Sequence, residues 1–213
     1  MVITSATPEH GFGAQEIIIG VDEAGRGPLA GPVVAGAAVL CDNPPSGLAD
    51  SKKLTAKRRA VLDLEIRASC IWAVGKVDPA EIDRINILQA TMLAMTIAVQ
   101  RVLVLLDRAP TAILIDGNLT PEGRCHQWRS PAGSAVRAIV GGDGSEPCIS
   151  AASIVAKEWR DRAMVAAAQE YPHYGWERNK GYGTRQHLAA LHEYGASPHH
   201  RQSFAPVAQL HLI

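Results

Sequence analysis

The sequence predicts an α/β layer fold. Three observations carry that expectation. Short apolar, β-branched runs recur along the chain; segments with the apolar periodicity of helices lie between them; and several of the runs end abruptly in acids or glycine turns. At 213 residues the chain is long enough for one domain, or one domain with a small appendage, and buries a core without disulfides or metal staples.

Met1 to Glu16 carries Gly, Ser, Thr and Pro and reads as a loose tail. Ile17 to Val21 is the first strand, ending in Asp22-Glu23 and a glycine-rich turn. Val33 to Leu40 is the second, followed by a loop, Cys41 to Leu48, that holds Pro44, Pro45 and Gly47. Thr55 caps a helix rich in Lys, Arg, Leu and Ala. Cys70 to Val77 is a third strand. Pro79, suited to the first position of a helix, opens a long apolar-periodic stretch through about Leu106. Ala112 to Ile115 is a strand ending in Asp116-Gly117-Asn118, and Ala138 to Val140 a short final strand before Gly141-Gly142-Asp143-Gly144. Ser150 to Ala168 is an Ala-rich helix. From Tyr171 the texture changes to dense Tyr, His, Gly and Pro with one short helix, Gln186 to Tyr194. Residues 17–168 therefore read as the main domain and 169–213 as a C-terminal lobe packed on it.

Charge is balanced, with 21 basic and 21 acidic side chains. The total gives no sign of nucleic-acid binding, which needs a local basic surface rather than a basic sum. The four cysteines are scattered and none is in CxxC spacing, as expected for reduced thiols in the cytoplasm rather than zinc or a redox pair. No basic n-region precedes an apolar run near the start. The most apolar helix candidate, Met92 to Leu106, contains Gln100 and Arg101 and is too short to span a bilayer. The expected protein is a cytoplasmic monomer without membrane contact.

Asp22, Glu23, Asp116 and Asp143 each follow a strand or sit in a glycine turn, where open α/β sheets expose functional groups. Carboxylate oxygens suit hard Mg²⁺ and Mn²⁺. Two such ions roughly 4 Å apart hold the attacking and leaving oxygens of a phosphodiester without a histidine base. Taken singly, each acid is explained equally well as a cap of a turn or helix. The adjacent pair Asp22-Glu23 is not, because its mutual repulsion calls for a cation.

The blocks around these acids resemble one family. DEAGRGP (22–28), DSKKLT (50–55), IDGN (115–118), GD (142–143) followed by ISAASIVAK (149–157) and Arg160-Asp161, NKGYGT (179–184) with His187 behind it, and SPHHRQSF (197–204) look like the type 2 ribonuclease H family, in the family's order and over most of residues 17–204. The length resembles the bacterial HII form rather than the HIII form, which carries an extra N-terminal domain. The resemblance implies an RNase H-like fold: a mixed central β-sheet flanked by helices, with a small helical C-terminal lobe. It also implies a metal-dependent endoribonuclease that uses Mn²⁺ or Mg²⁺. Such an enzyme hydrolyses the RNA strand of an RNA/DNA hybrid and cuts 5′ to single ribonucleotides in duplex DNA, as in ribonucleotide excision repair, leaving 3′-hydroxyl and 5′-phosphate ends. The family's catalytic metal ligands fall on Asp22, Glu23, Asp116 and Asp143. Its substrate-binding positions fall on Gly25, Arg26, Gly27 and Tyr182.

Telling RNA from DNA requires contact with a 2′-hydroxyl, and Gly25-Arg26-Gly27 lets backbone approach a sugar closely. The bland alternative is a tight turn fixed by Pro28. A dinucleotide cradle fits less well, because Gly25-x-Gly27-x-x-x-Gly31 is not that fingerprint and two acids precede it. In the family Tyr182 packs on the neighbouring sugar. The basic run Lys52, Lys53, Lys57, Arg58, Arg59 and the looser group Lys180, Arg185, Arg201 offer phosphate contacts, Lys53 and Lys180 first, although such runs are also ordinary solvated faces. Ser150 and Lys157 are expected in the same cleft. The histidines lack zinc spacing and read as packing or hydrogen-bonding residues of the lobe. Two positions depart from the family pattern. Gly141 stands where a lysine is common, which would weaken a local substrate or packing contact. Glu158 stands where an apolar residue is common, implying a more exposed helix face. Two rivals remain open on sequence: a hybrid-binding module without catalysis, and a nuclease of the same fold acting on DNA alone.

Overall fold

The computed structural model describes residues 16–49, 51 and 53–212; residues 1–15 of the expected tail lie outside them. Five strands form one mixed sheet in the order β3-β2-β1-β4-β5. They are β1 (Ile18–Ala24), β2 (Val33–Val39), β3 (Ile71–Val77), β4 (Ala112–Asp116) and β5 (Ala135–Ile139). β1, β2 and β3 pair antiparallel, whereas β1–β4 and β4–β5 are parallel. Among the described residues the α-helices are α1 (Ala56–Ser69), α2 (Pro79–Leu105), α3 (Gly142–Ser145), α4 (Pro147–Glu170), α5 (Trp176–Asn179), α6 (Arg185–Tyr194) and α7 (Ala205–Ala208).

Alternation along the strands decides the layers, because successive strand side chains face opposite sides. Ile17, Ile19 and Val21, with Val33, Ala35, Ala37, Ile71, Ala73, Ile113 and Ile115, face α2 and bury Met92, Met95, Val99 and Val102. Val34, Ala38, Trp72 and Val74 face the other way, onto Leu62 and Ile66 of α1 and Ile154 and Val155 of α4. A third cluster, Leu29, Ala30, Met164, Tyr174, Trp176, Leu191 and Val207, ties the region after residue 170 to α4 and to the turn after β1.

Three sequence expectations need correction. β5 begins at Ala135, earlier than the expected Ala138, and Val140 is 82% exposed beyond its end; a half-buried edge strand has too little apolar alternation to be bounded from sequence. The apolar helix is not too short to span a bilayer, although it has the expected bounds, from Pro79 to about Leu106. α2 runs for 27 residues and is, by length and composition, long and apolar enough to cross a membrane; here its buried face lies on the sheet. Its ladder is interrupted at Asn86 (φ 67°), whose Oδ1 accepts the Leu88 and Gln89 N–H groups at 3.0 and 3.1 Å and so caps a second start inside the helix. Glu158 is not on an exposed face. It is 9% exposed, and its carboxylate takes the Arg59 Nε–H at 2.7 Å, with Arg162 at 3.8 Å.

Candidate active site

β1 is the central strand, and its parallel neighbour β4 ends beside it. Asp22 points to the α4 face, 4% exposed, and its backbone partner across the ladder is Gly36. Asp116 is the last residue of β4. Asp143 lies in α3, which Gly141 starts in the left-handed region (φ 70°). Asp143 N–H donates a long bond, 3.3 Å, to Asp116 Oδ1, and Ser150 Oγ–H donates to the Asp143 carbonyl at 2.7 Å. These constraints bring one carboxylate oxygen each from Asp22, Asp116 and Asp143 within 4.8 Å of one another. The donor set, all carboxylate oxygen, fits a hard divalent cation.

Electrostatics supports the same reading. Burial, then the charge of Glu23, holds the Asp22 carboxyl well above the usual carboxylate range; Ser153 on α4 opposes this with a hydrogen bond. Burial likewise raises Glu23, against the lowering effect of Arg26. A cation at the cluster would relieve both.

Glu23 does not join the three aspartates. Its Oε1 takes Arg26 Nη1–H at 3.3 Å, and it lines a neighbouring cleft of about 240 Å³. That cleft is also lined by Gly25, Arg26, Gly27 and Tyr182, and by Ser51, Ser153, Lys157 and Arg160. Gly25 (φ 93°) lies so close to Arg160 that a Cβ there would stand 2.0 Å from Nε. Tyr182 is 48% exposed beside Gly27.

The basic residues divide. Lys53 is exposed. Lys180 lines a separate groove between α1 and α4, and its Nζ bonds the Glu177 carbonyl. Lys157 is paired with Asp161 at 2.6 Å. Arg59, expected at the surface, is buried against Glu158 and Asp161. Arg201 is 0% exposed and bonds backbone carbonyls, so it is not a surface phosphate contact. Sequence reasoning missed Ser51 and Ser153, whose hydroxyls meet at 2.8 Å behind Asp22. The available signal was Ser153 three residues after Ser150 on one helix face.

The histidines of the C-terminal region do pack and hydrogen-bond. His200 Nδ1 accepts the Ser197 N–H at 2.9 Å, so its Nε2–H donates to His187 Nε2 at 3.0 Å. His187 Nε2 also accepts from Trp176 Nε1–H at 3.1 Å, which leaves Nδ1–H for the Tyr182 carbonyl at 2.9 Å. Both rings are thereby assigned as neutral tautomers. The chain of bonds ends on the backbone of Tyr182. All four cysteines are free, and burial pushes Cys70 and Cys148 up to about 11.

The family model described as Ribonuclease HII matches residues 19–207. The chain belongs to the ribonuclease HII family. Ribonuclease HII of Erythrobacter litoralis is 63% identical over 99% of this chain and 100% of its own. That of Novosphingobium aromaticivorans is 64% identical over 92% and 100%. Among solved structures, ribonuclease H2 from Pyrococcus horikoshii superposes with a TM-score of 0.74 at 28% identity, covering 91% of this chain and 96% of that one. Membership makes the protein a metal-dependent endoribonuclease that cleaves the RNA strand of RNA/DNA hybrids. The RNase H-like α/β fold expected from sequence is the fold observed.

Proposed function

We propose that this ribonuclease HII also cuts duplex DNA on the 5′ side of a single embedded ribonucleotide, leaving 3′-hydroxyl and 5′-phosphate ends, with two Mn²⁺ or Mg²⁺ ions held by Asp22, Asp116, Asp143 and Glu23. The observation that carries the reading is the convergence of three aspartate oxygens beside a cleft lined by Gly25, Arg26, Gly27 and Tyr182.

Divalent ions there would supply positive charge for the phosphate oxygens and acidify a water so that it attacks near neutral pH. The protein's own residues do the rest. Asp22, whose carboxylate Ser153 supports with a hydrogen bond, would hold metal together with Asp116 and Asp143, whose oxygens lie within 4.8 Å of its own. Glu23, which here faces Arg26, would serve as a further carboxylate ligand if its side chain turned toward the three aspartates. The Gly25–Gly27 backbone, which lines the cleft, contacts the 2′-hydroxyl; glycine at 25 lets the loop lie against Arg160, and glycine at 27 leaves the backbone open beside Tyr182. The exposed Tyr182 ring lies flat on the next sugar, where a deoxyribose fits better than a ribose. Lys53 and Lys180 neutralise phosphates along the duplex. Residues 169–213 act as the substrate-binding lobe of residues 17–168, and the enzyme works as a cytoplasmic monomer with its thiols reduced.

The test is cleavage of an end-labelled DNA duplex carrying one ribonucleotide, with Mg²⁺ or Mn²⁺, with chelator, and beside an all-DNA control. A metal-dependent cut 5′ to the ribonucleotide with the control intact is expected. Equal cutting of the control, or no cut with either ion, refutes the proposal.

A further inference from the structure

Two arginines lie inside the protein with no carboxylate ion pair among the described residues: Arg160, 1% exposed, and Arg201, 0% exposed. A buried guanidinium without a carboxylate is costly unless its donors are used on other acceptors. Both spend their donors on backbone carbonyls. Arg160 bonds Ala30 and Pro32 at 3.0 Å each and Lys180 at 2.9 Å. Arg201 bonds Gly31 through Nε at 3.0 Å and Nη2 at 2.9 Å, Arg26 at 2.8 Å and Gly25 at 2.5 Å.

The last two bonds have a stereochemical consequence. In a trans peptide the C=O of one residue and the N–H of the next point in opposite directions, and no peptide bond among the described residues is cis. Gathering the Gly25 and Arg26 carbonyls onto Arg201 therefore turns the Arg26 and Gly27 N–H groups away from it. Those N–H groups have no hydrogen-bond partner among the described residues. The loop lines the cleft, and Arg201 stands behind it, outside the lining. A guanidinium fork reaches two adjacent carbonyls at once, which an ammonium point charge does not.

We propose that Arg201 is the positioning residue for sugar discrimination: it fixes the Gly25–Gly27 peptides so that two amide donors face the substrate sugar. The inference rests on the reading of this loop as the contact for the 2′-hydroxyl. Arg201 touches no reacting atom. It acts through the orientation of two peptide planes, which links residue 201 of the C-terminal region to a turn at the end of β1.

The experiment measures binding, with chelator present so that nothing is cut, to a fluorescent duplex carrying one ribonucleotide and to its all-DNA twin. The wild-type enzyme is expected to prefer the ribonucleotide duplex by roughly tenfold, the worth of one or two net hydrogen bonds. Arg201→Lys is expected to bind both duplexes alike while its Mn²⁺ affinity, read by calorimetry, stays unchanged. A purely structural role would weaken both affinities together and leave their ratio intact. A folded Arg201→Lys enzyme that keeps the wild-type ratio overturns the proposal alone. A wild-type enzyme with no preference overturns the reading of the loop, and the proposal with its premise. Should Arg201→Lys fail to fold, amide NMR of the wild-type enzyme decides. The Arg26 and Gly27 N–H signals are expected to shift with the ribonucleotide duplex and not with the twin; equal shifts overturn the proposal.

Discussion

Replacing Gly36 with Ala should damage the active site from behind. Gly36 lies on β2 opposite Asp22, and a Cβ there would stand 2.2 Å from the Ala152 carbonyl oxygen, 3.1 Å from its carbon and 3.2 Å from Ala156 N. All three are backbone atoms of α4, so no side chain can rotate aside. Restoring ordinary contact at 3.4 Å moves α4 about 1.2 Å off the sheet. Ser153, which follows Ala152, then leaves Asp22, and Ser150 shifts against Asp143. Overpacking of this kind costs about 2–3 kcal/mol, a fall in melting temperature of roughly 5–10 °C for a chain of this size. Displacement of the ligand set by about 1 Å is expected to lower turnover by roughly 100-fold, measured well below the melting transition. Urea unfolding and single-ribonucleotide cleavage read the two effects. Two other glycines separate sterics from backbone strain. Gly141→Ala meets nothing within 4 Å but must hold φ 70°, at a cost of about 1 kcal/mol. Gly144→Ala meets nothing and is not in the left-handed region, so it should be neutral or slightly stabilising. A Gly36→Ala enzyme within about 0.5 kcal/mol of wild type and with wild-type turnover would refute the argument that close approach of α4 builds the site.

Asp22→Asn should abolish cleavage yet melt higher than wild type in chelator. A carboxyl whose folded pKa is raised makes the charged folded state less stable at neutral pH, and Asn removes that charge. Adding Mn²⁺ should raise the melting temperature of the wild type and not of the variant; an active, folded Asp22→Asn protein sinks the assignment. His200 predicts acid sensitivity. Burial, then the nearby His187, lowers it to about 4 from 6.5, so its contribution is complete above pH 6.5, is lost as pH falls below that, and is exhausted below about 4. The loss between pH 7.5 and 5 is about 2 kcal/mol, and His200→Gln should show a correspondingly flatter urea-midpoint profile. An identical pH slope in the two proteins would exclude His200 as the cause. Glu158→Ala leaves Arg59 with Asp161 at 3.8 Å as its remaining carboxylate, besides the Ser51 and Leu54 carbonyls, and should cost about 3 kcal/mol; Glu158→Gln should recover part of that in the same urea titration.

Much of the site is legible in the sequence because it is local. Asp22-Glu23 at a strand end, the glycines at 25 and 27, Tyr182 between glycines and the aspartates at the end of β4 and after β5 are each visible within a few residues. The strands and long helices follow from periodicity, since both faces of the sheet are apolar for most of their length. The fate of the charged residues is different. Arg59, Glu158, Arg160 and Arg201 look like surface groups in one dimension, yet each has a partner between 99 and 176 positions away in the chain. Nothing in local composition distinguishes a guanidinium facing water from one facing a turn on the opposite side of the fold.

The sequence by itself determined the α/β layering and the family, and it singled out the acids proposed to hold metal. Those depend on side-chain type and short-range spacing. Only the tertiary structure decided that three aspartates converge while Glu23 turns to Arg26, that Gly20 and Gly36 let α4 close on the sheet, and that Arg201 reaches the Gly25 and Arg26 carbonyls. Those outcomes are set by which backbone atoms come within van der Waals and hydrogen-bond range once the layers pack, and distance along the chain does not encode that.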